Sequence, residues 1–257
     1  MKILVCIKSV PDTETKIKIA ADGKSADLTG AKMIISPYDE YALEEALLLK
    51  EAGRAAEVAV LGAGGDDVQP TLRHALAMGA DRATLVQDAG LDAADPLARA
   101  EALAAGIRAE GADLVFAGKL GVGGDEGQVG PMLGELLDRP HVGNVFKMTV
   151  DSERFTAWRA IEGATEVVEG RLPAVIAWDK GEHEPRYASL KGIMAAKKKP
   201  LDVKPAAGLS SAPGAPRIVR ESLELPPPRQ AGRILKGDAA ETARELARLL
   251  REEAKVV

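Results

Sequence analysis

Short apolar runs alternate with helix-like patterns along the first 140 residues, and this alternation constrains the fold more than any other feature. The apolar runs cover residues 3–7, 57–62, 83–86 and 114–117. They are typical of buried strands, and the segments between them repeat apolar residues every three or four positions. This order predicts an α/β fold with a doubly wound, mostly parallel sheet. Such sheets bind their ligands beyond the carboxyl ends of the strands.

The pattern changes after residue 140. Residues 146–150, 155–161, 165–168 and 174–177 are strand-like and are separated by turns. Runs of this kind predict antiparallel strands added to the sheet.

The globular pattern fades beyond residue 178. Most of the late prolines lie between residues 200 and 230, ending in Pro226-Pro227-Pro228, so this stretch is expected to run extended. Asp238, followed by Glu241, then resembles a capping box, and Leu246, Leu249 and Leu250 share one face of the helix that it opens. We therefore expect an α/β domain over residues 1–190. An extended arm and a helix that packs on a partner subunit would follow over residues 201–257.

Aromatic residues are scarce, with only three Phe, three Tyr and two Trp. A protein that holds a large planar ring by itself usually lines the pocket with apolar and aromatic groups. Any bulky cofactor is therefore expected to be shared with another chain.

Other whole-chain features exclude several classes of protein. The net charge of -5 argues against general nucleic-acid binding, which needs a basic face. Cys6 is the only cysteine and the three histidines lie far apart, so neither a disulfide framework nor a metal site is expected. No run approaches the roughly 18 apolar residues of a membrane span, and the opening residues predict a strand rather than a secretion signal. A cytoplasmic setting is the default expectation.

The strongest local motif is the glycine-rich segment GKLGVGGDEGQ at residues 118–128, which follows a strand and opens a helix. Glycines let backbone N–H groups approach a phosphate, and a helix N-terminus adds favourable partial charge. The spacing fits neither a Walker A motif nor the dinucleotide fingerprint. A second glycine-rich turn at residues 62–65 would meet the first at one edge of the sheet. The alternative interpretation is a flexible crossover loop.

Residues around these turns have more than one interpretation. A small core residue is a simpler interpretation of Cys6 than a reactive thiol. Lys8 is expected either to meet a phosphate or to point to water. Ser36, Pro37 and Asp39 predict a helix start, with Ser36 as the N-cap and Asp39 reaching back to it.

The segment at residues 187–200, YASLKGIMAAKKKP, combines apolar residues with three consecutive lysines. A run of charge usually marks a solvated face. The neighbouring apolar residues also suit a docking loop with an apolar anchor and a charged rim. The docking residues would be Leu190, Ile193, Met194, Lys197, Lys198 and Lys199.

Seven segments in order along the chain resemble the β subunit of electron-transfer flavoprotein. They are LVCIKSVPD, SPYDEYALEEALLLKE, LRHALAMGADRA, GKLGVGGDEGQVGPMLGELL, RAIEGATEVVEGRLPAVIA, EPRYASLKGIMAAKKKP and PPPRQAGRIL. The resemblance covers almost the whole chain. It implies a Rossmann-like, adenine-nucleotide-binding fold within an α–β heterodimer.

The resemblance also implies a function and a site. One FAD would lie mainly on the α subunit and carry electrons from acyl-CoA and other dehydrogenases to a membrane quinone oxidoreductase, with no catalytic turnover by this chain. AMP would bind here, Leu190 would anchor the dehydrogenase, and Tyr38 would touch the edge of the flavin. The cofactor-binding residues would be Cys6, Ser36, Pro37, Tyr38, Asp39, Ala63, Gly118, Lys119, Leu120, Gly121, Val122, Gly123, Gly124, Asp125, Glu126, Gly127, Gln128 and Val129.

The chain departs from the family pattern at two positions. Gly123 stands where the family commonly has an acidic residue, and Ser36 stands where asparagine is common.

Two alternative functions stay open. A bifurcating subfamily carries a second FAD in place of AMP, but its members usually lack the lysine-rich segment, so GIMAAKKKP favours the single-flavin type. The other alternative is a stand-alone nucleotide-binding α/β module, for which the sequence lacks a catalytic phosphate-loop motif.

Overall fold

The computed structural model describes residues 1–92, 94–209, 217–229 and 231–257. Residues 210–216 and 230, which belong to the expected arm, lie outside the described residues. The strands are β1 (Lys2–Cys6), β2 (Ser9–Pro11), β3 (Lys18–Ile19), β4 (Ala26–Asp27), β5 (Met33–Ile35), β6 (Glu57–Gly64), β7 (Arg82–Gln87), β8 (Leu114–Gly118), β9 (His141–Asp151), β10 (Arg154–Ile161), β11 (Ala164–Arg171), β12 (Ala174–Trp178) and β13 (Leu201–Pro205). The α-helices are α1 (Pro37–Glu51), α2 (Gln69–Met78), α3 (Pro96–Glu110), α4 (Val129–Leu137), α5 (Leu190–Ala196) and α6 (Ala239–Glu252).

A nine-stranded sheet in the order β11-β10-β9-β12-β8-β1-β6-β7-β13 organises the chain. The strands from β9 to β13 in that order pair in parallel, and β10 and β11 extend the β9 edge as antiparallel neighbours. Two short antiparallel pairs, β2–β5 and β3–β4, lie in the segment between β1 and α1. The expected α/β fold with a doubly wound, mostly parallel sheet and added antiparallel strands is confirmed.

Apolar residues of the central strands point alternately to the two faces of the sheet, as strand geometry requires. Ile3 and Val5 pack with α1 and α2 in one core cluster. Leu4 and Cys6 pack with α3 in the other cluster. Both faces are therefore covered by helices, and the sheet edge at the carboxyl ends of the strands is left for a ligand.

The ninth strand corrects the expected start of the arm. The late prolines predict an extended arm from residue 201, whereas Leu201–Pro205 pairs in parallel with β7 and belongs to the sheet. Lys204 Nζ lies 2.6 Å from Glu110 Oε1, and Arg82 and Lys2 also pair with this buried carboxylate. Burial raises the pKa of Glu110, but hydrogen bonds from Lys204, Arg82 and Thr84 outweigh it and lower the pKa to about 2.

The described residues of the arm bind the domain through several hydrogen bonds, one of them from Leu223 N to Gly23 O at 2.9 Å. The backbone N–H groups of Arg217 and Ile218 donate to Asp95 Oδ2, at 2.5 and 3.1 Å. Asp238 caps α6 as expected, because its Oδ1 accepts from Glu241 N at 2.8 Å. Within the part of the chain that the structure describes, no residue of α6 is buried. The docking of this amphipathic helix on a partner subunit stays a prediction.

Candidate functional site

A cleft opens at the carboxyl ends of β1, β6 and β8, where the sequence predicts that two glycine-rich turns meet. Its empty volume is about 700 Å³, counting the space that opens to solvent. The lining residues are Cys6, Ile7, Lys8, Asp39, Ala63, Arg99, Leu103, Ala117, Gly118, Lys119, Leu120, Gly121, Glu126, Gly127, Gln128, Val129 and Gly130. The cleft therefore unites most of the residues expected to bind a cofactor.

Asp39 joins the ends of two strands. Its Oδ2 accepts from the backbone N–H of Lys8 and its Oδ1 from that of Gly118, both at 2.8 Å. Burial raises the pKa of Asp39 to about 7, although both hydrogen bonds and the charge of Lys8 act in the opposite direction. The expectation that Asp39 reaches back to the helix N-cap is wrong, because its carboxylate is occupied by these two strand ends.

Ser36 also has a different role from the expected one. It precedes Pro37 at the N-cap position, but its side chain makes no capping hydrogen bond. Instead, Ser36 is buried and its Oγ accepts from the backbone N–H of Val122 at 3.4 Å. It therefore ties the glycine-rich loop to the start of α1.

One glycine of the loop, Gly118, is required by close packing, and a second, Gly121, lies against the Lys8 side chain. A Cβ on Gly118 would lie 2.5 Å from Asp39 Oδ1 and 2.7 Å from Tyr38 Cβ. A Cβ on Gly121 would lie 2.6 Å from Lys8 Nζ. At Gly118 the backbone carbon of Tyr38 also lies 2.9 Å away and cannot move aside easily, so the chain approaches α1 more closely there than any other residue would allow. At Gly121 the flexible end of Lys8 could move instead.

The outer turn of the loop lies beyond the wall of the cleft. The backbone N–H groups of Gly124 and Asp125 donate to Gly121 O, at 3.3 and 3.0 Å. Val122, Gly123, Gly124 and Asp125 form this turn and, with Ser36, Pro37 and Tyr38, are the expected cofactor-binding residues outside the lining. The start of α4 closes the loop, with Val129 and Gly130 in the wall. Its N-terminus supplies the partial positive charge that favours an anion.

Lys8 faces the cleft rather than open water, beside a cation that the sequence analysis missed. Arg99, on the first turn of α3, donates from Nε to Leu91 O at 3.1 Å and lies 3.5 Å from Glu126 Oε2. Burial lowers the pKa of Lys8, and the charge of Arg99 lowers it further. The only sequence signal for Arg99 is its place three residues after Pro96, at the start of a helix that follows β7.

Lys119 and Tyr38 form one rim of the site. Lys119 Nζ lies 2.9 Å from Asp179 Oδ1 and 4.8 Å from the centre of the Tyr38 ring. This cation–π contact fixes the ring beside the glycine-rich loop.

Cys6 lies in the wall of the cleft but is not a poised nucleophile. Cys6 is buried. This burial, and to a smaller extent the charge of Asp39, raises the pKa of its thiol. A thiol whose pKa is raised stays protonated and unreactive near neutral pH. The interpretation as a small core residue is therefore the better one.

The segment at residues 187–200 contains a helix rather than a loop. Ser189 caps α5, with Oγ accepting from Gly192 N at 3.0 Å, and Gly192 packs directly against Ala77 O. Leu190 is 79% exposed, while Ile193 and Met194 are 45% and 60% exposed. The expected apolar anchors thus lie together on the free side of a helix that is fixed to α2.

The three lysines divide into two groups. Lys197 and Lys198 are exposed, as expected of a charged rim. Lys199 Nζ instead donates to Leu76 O at 3.0 Å and to Ala80 O at 2.6 Å, at the end of α2. Arg73 reinforces this attachment by donating to Lys199 O at 2.6 Å. Lys199 therefore holds the segment in place and does not point to solvent with its neighbours.

A set of ion pairs that the sequence analysis missed fixes the approach to α5. The Arg186 guanidinium lies 2.8 Å from Glu44 Oε2 and 2.5 Å from Glu51 Oε1. Glu44 is almost completely buried, whereas the Arg186 side chain is 32% exposed. His183, three residues before Arg186, places its Nδ1 2.9 Å from Glu45 Oε1. The segment that leads to α5 is therefore held against the acidic face of α1.

Two absences hold for the described residues. No group of three or more His, Cys, Asp or Glu side chains there could hold a metal ion. In the same ranges, no helix combines the length and the apolar character needed to cross a bilayer.

Comparison with known proteins identifies the family. The model of the electron transfer flavoprotein domain matches residues 27–209. The chain is 41% identical to the electron transfer flavoprotein subunit beta of Syntrophomonas wolfei, over all of this chain and 98% of the relative. It is 40% identical to that of Bacillus subtilis, over the full length of both, and 37% identical to that of Mus musculus, over 90% and 91% of the two chains. The chain therefore belongs to the electron transfer flavoprotein family, among its beta subunits.

Proposed function

We propose that this chain is the β subunit of a heterodimeric, single-flavin electron-transfer flavoprotein. It holds AMP in the cleft, positions an FAD that lies mainly on the α subunit, and docks acyl-CoA and other dehydrogenases through α5. The FAD, when bound, supplies the redox chemistry, and a quinone oxidoreductase at the membrane receives the electrons. The chain itself performs no catalytic turnover and works as a carrier subunit in the cytoplasm.

The observation that carries this proposal is that α5 is fixed to the domain on one side and exposes apolar side chains on the other. Exposed apolar side chains that lie together, unlike single scattered ones, mark a surface that another protein covers. Here Leu190 stands 79% exposed at the start of a helix whose other side is fixed by Arg73 and Lys199. A rigid apolar anchor with Lys197 and Lys198 beside it suits a partner that presents an apolar pocket with an acidic border.

The chemistry of the cleft fits a small adenylate. Glycine backbone, the N-terminus of α4 and the side chains of Lys8 and Arg99 offer a phosphate several donors and two positive charges. None of the described lining residues is aromatic, which leaves little to hold an isoalloxazine ring. This observation favours AMP over the second FAD of a bifurcating subunit.

Co-expression with the α subunit tests the proposal. We expect the two chains to co-elute from a size-exclusion column as a yellow 1:1 complex, whose flavin is bleached when substrate and an acyl-CoA dehydrogenase are added. Expression of the β chain alone is the control and should give colourless protein. A colourless monomer that binds or cleaves nucleotides in the presence of the α chain would instead support the stand-alone module.

A further inference from the structure

Two cationic side chains lie beside a carboxylate in the cleft, whose wall also includes Lys119 and Asp39. Lys8 and Arg99 both line it, together with Glu126. The charge of Arg99 lowers the pKa of Lys8, which means that the two cations are close enough to repel each other. Like charges in a partly buried site are favourable only when an anion lies near both.

Glu126 is one such anion, and among the charges that raise the pKa of Lys8 it acts more strongly than Asp39 and Asp125. Its Oε2 lies 3.5 Å from Arg99 Nη1, and its charge also acts on Lys8. Glu126 Oε2 and Lys8 Nζ lie 3.1 and 3.5 Å from the same point, the position of a Cβ on Gly124. The carboxylate therefore lies in the neighbourhood of both cations, beside the glycine-rich loop.

The Arg99–Glu126 pair is loose enough to exchange. Charge-assisted hydrogen bonds of this type are usually about 2.7–2.9 Å long, so the observed 3.5 Å is a weak contact. The two side chains are 22% and 33% exposed, so a ligand in the cleft can reach both of them. A phosphate carries more charge than a carboxylate and offers three oxygens to the same donors.

We propose that the Glu126 carboxylate occupies the phosphate position of the cleft and that the phosphate of the nucleotide replaces it against Arg99 and Lys8. This inference rests on the proposed AMP site and deepens it. In this proposal Arg99 determines specificity for a phosphorylated ligand. Glu126 competes with the phosphate for Arg99 and Lys8, and only a phosphorylated ligand displaces it. A nucleoside without phosphate leaves Glu126 in place and gains nothing from the two cations.

The test is calorimetric titration of the nucleotide-depleted α–β complex with AMP and with adenosine. Arg99→Ala should weaken AMP binding about tenfold or more, because a charge-assisted hydrogen bond is lost, and should leave adenosine binding unchanged. Glu126→Gln keeps the shape of the side chain but removes the competing charge, so AMP should bind at least about threefold more tightly. Arg154→Ala is the matched control, since it removes an exposed positive charge that lies outside the cleft wall.

The outcomes separate this inference from the proposed function. Equal AMP affinities in the unmodified and Arg99→Ala complexes would overturn the role of Arg99. An unchanged or weaker AMP affinity in Glu126→Gln would overturn the role of Glu126. That variant also decides the question if Arg99→Ala fails to fold, since Arg99 donates to Leu91 O as well. An unmodified complex that binds neither AMP nor adenosine would show that the AMP site itself is wrong.

Discussion

Gly118→Ala is expected to destabilise the domain by about 1–3 kcal/mol, as overpacking of a tight site does, and to remove AMP from the purified complex. The new Cβ would lie 2.5 Å from Asp39 Oδ1 and 2.9 Å from the carbonyl carbon of Tyr38. Backbone cannot move aside as a flexible side chain can. The start of α1 must therefore shift, and the hydrogen bond from Gly118 N to Asp39 is strained.

Urea unfolding and release of bound nucleotide measure the two effects on the same α–β complex. Gly208→Ala is the matched control, because among the described residues no atom beyond its chain neighbours lies within 4 Å of its Cβ position. The control should keep both the unfolding midpoint and the nucleotide content of the unmodified complex. If Gly118→Ala retained AMP with unchanged stability, the close approach of β8 to α1 would not be what shapes the cleft.

Leu190→Ala is expected to weaken docking of an acyl-CoA dehydrogenase by about 2 kcal/mol or more, which is roughly thirtyfold in affinity. Leu190 is the most exposed of the three apolar residues on α5. Truncating it removes contact area from the partner interface and almost none from the domain. The free energy of unfolding should therefore stay within about 0.5 kcal/mol of its original value.

The concentration dependence of flavin reduction by the dehydrogenase measures this effect. Val167→Ala is the control, because it trims a 54% exposed side chain on β11, at the opposite edge of the sheet from β13. The control should reduce at the original rate. An unchanged rate for Leu190→Ala with every dehydrogenase tested would contradict the assignment of α5 as the docking element.

Much of the fold was predictable because its signals are local. Buried parallel strands read as apolar runs, so β1, β6, β7 and β8 were found. The edge strand β13 was missed because it has the sequence Leu-Asp-Val-Lys-Pro, with a short exposed pattern and a proline in a proline-rich stretch. Its place depends on Lys204 reaching Glu110 on α3, a contact between residues 94 positions apart.

The candidate site was likewise predictable only where its signals are local in the sequence. The glycine-rich loop at residues 118–128 was found because glycines indicate a close backbone approach. The second turn, expected at residues 62–65, was wrong in part, because residues 62–64 belong to β6. The binding partners of Asp39 were not found, since the helix-capping pattern that includes it is equally consistent with an ordinary N-terminus. Arg99 and Arg186 were missed because nothing near them in sequence shows that the fold brings one beside Glu126 and the other beside Glu44.

The central claim is that the cleft of this chain holds AMP while the flavin lies mainly on the partner. The most direct test is to denature the purified α–β complex and quantify the released FAD and AMP against protein by chromatography. We expect one FAD and one AMP for each heterodimer. Two FAD and no AMP would contradict the account and identify the cleft as a second flavin site.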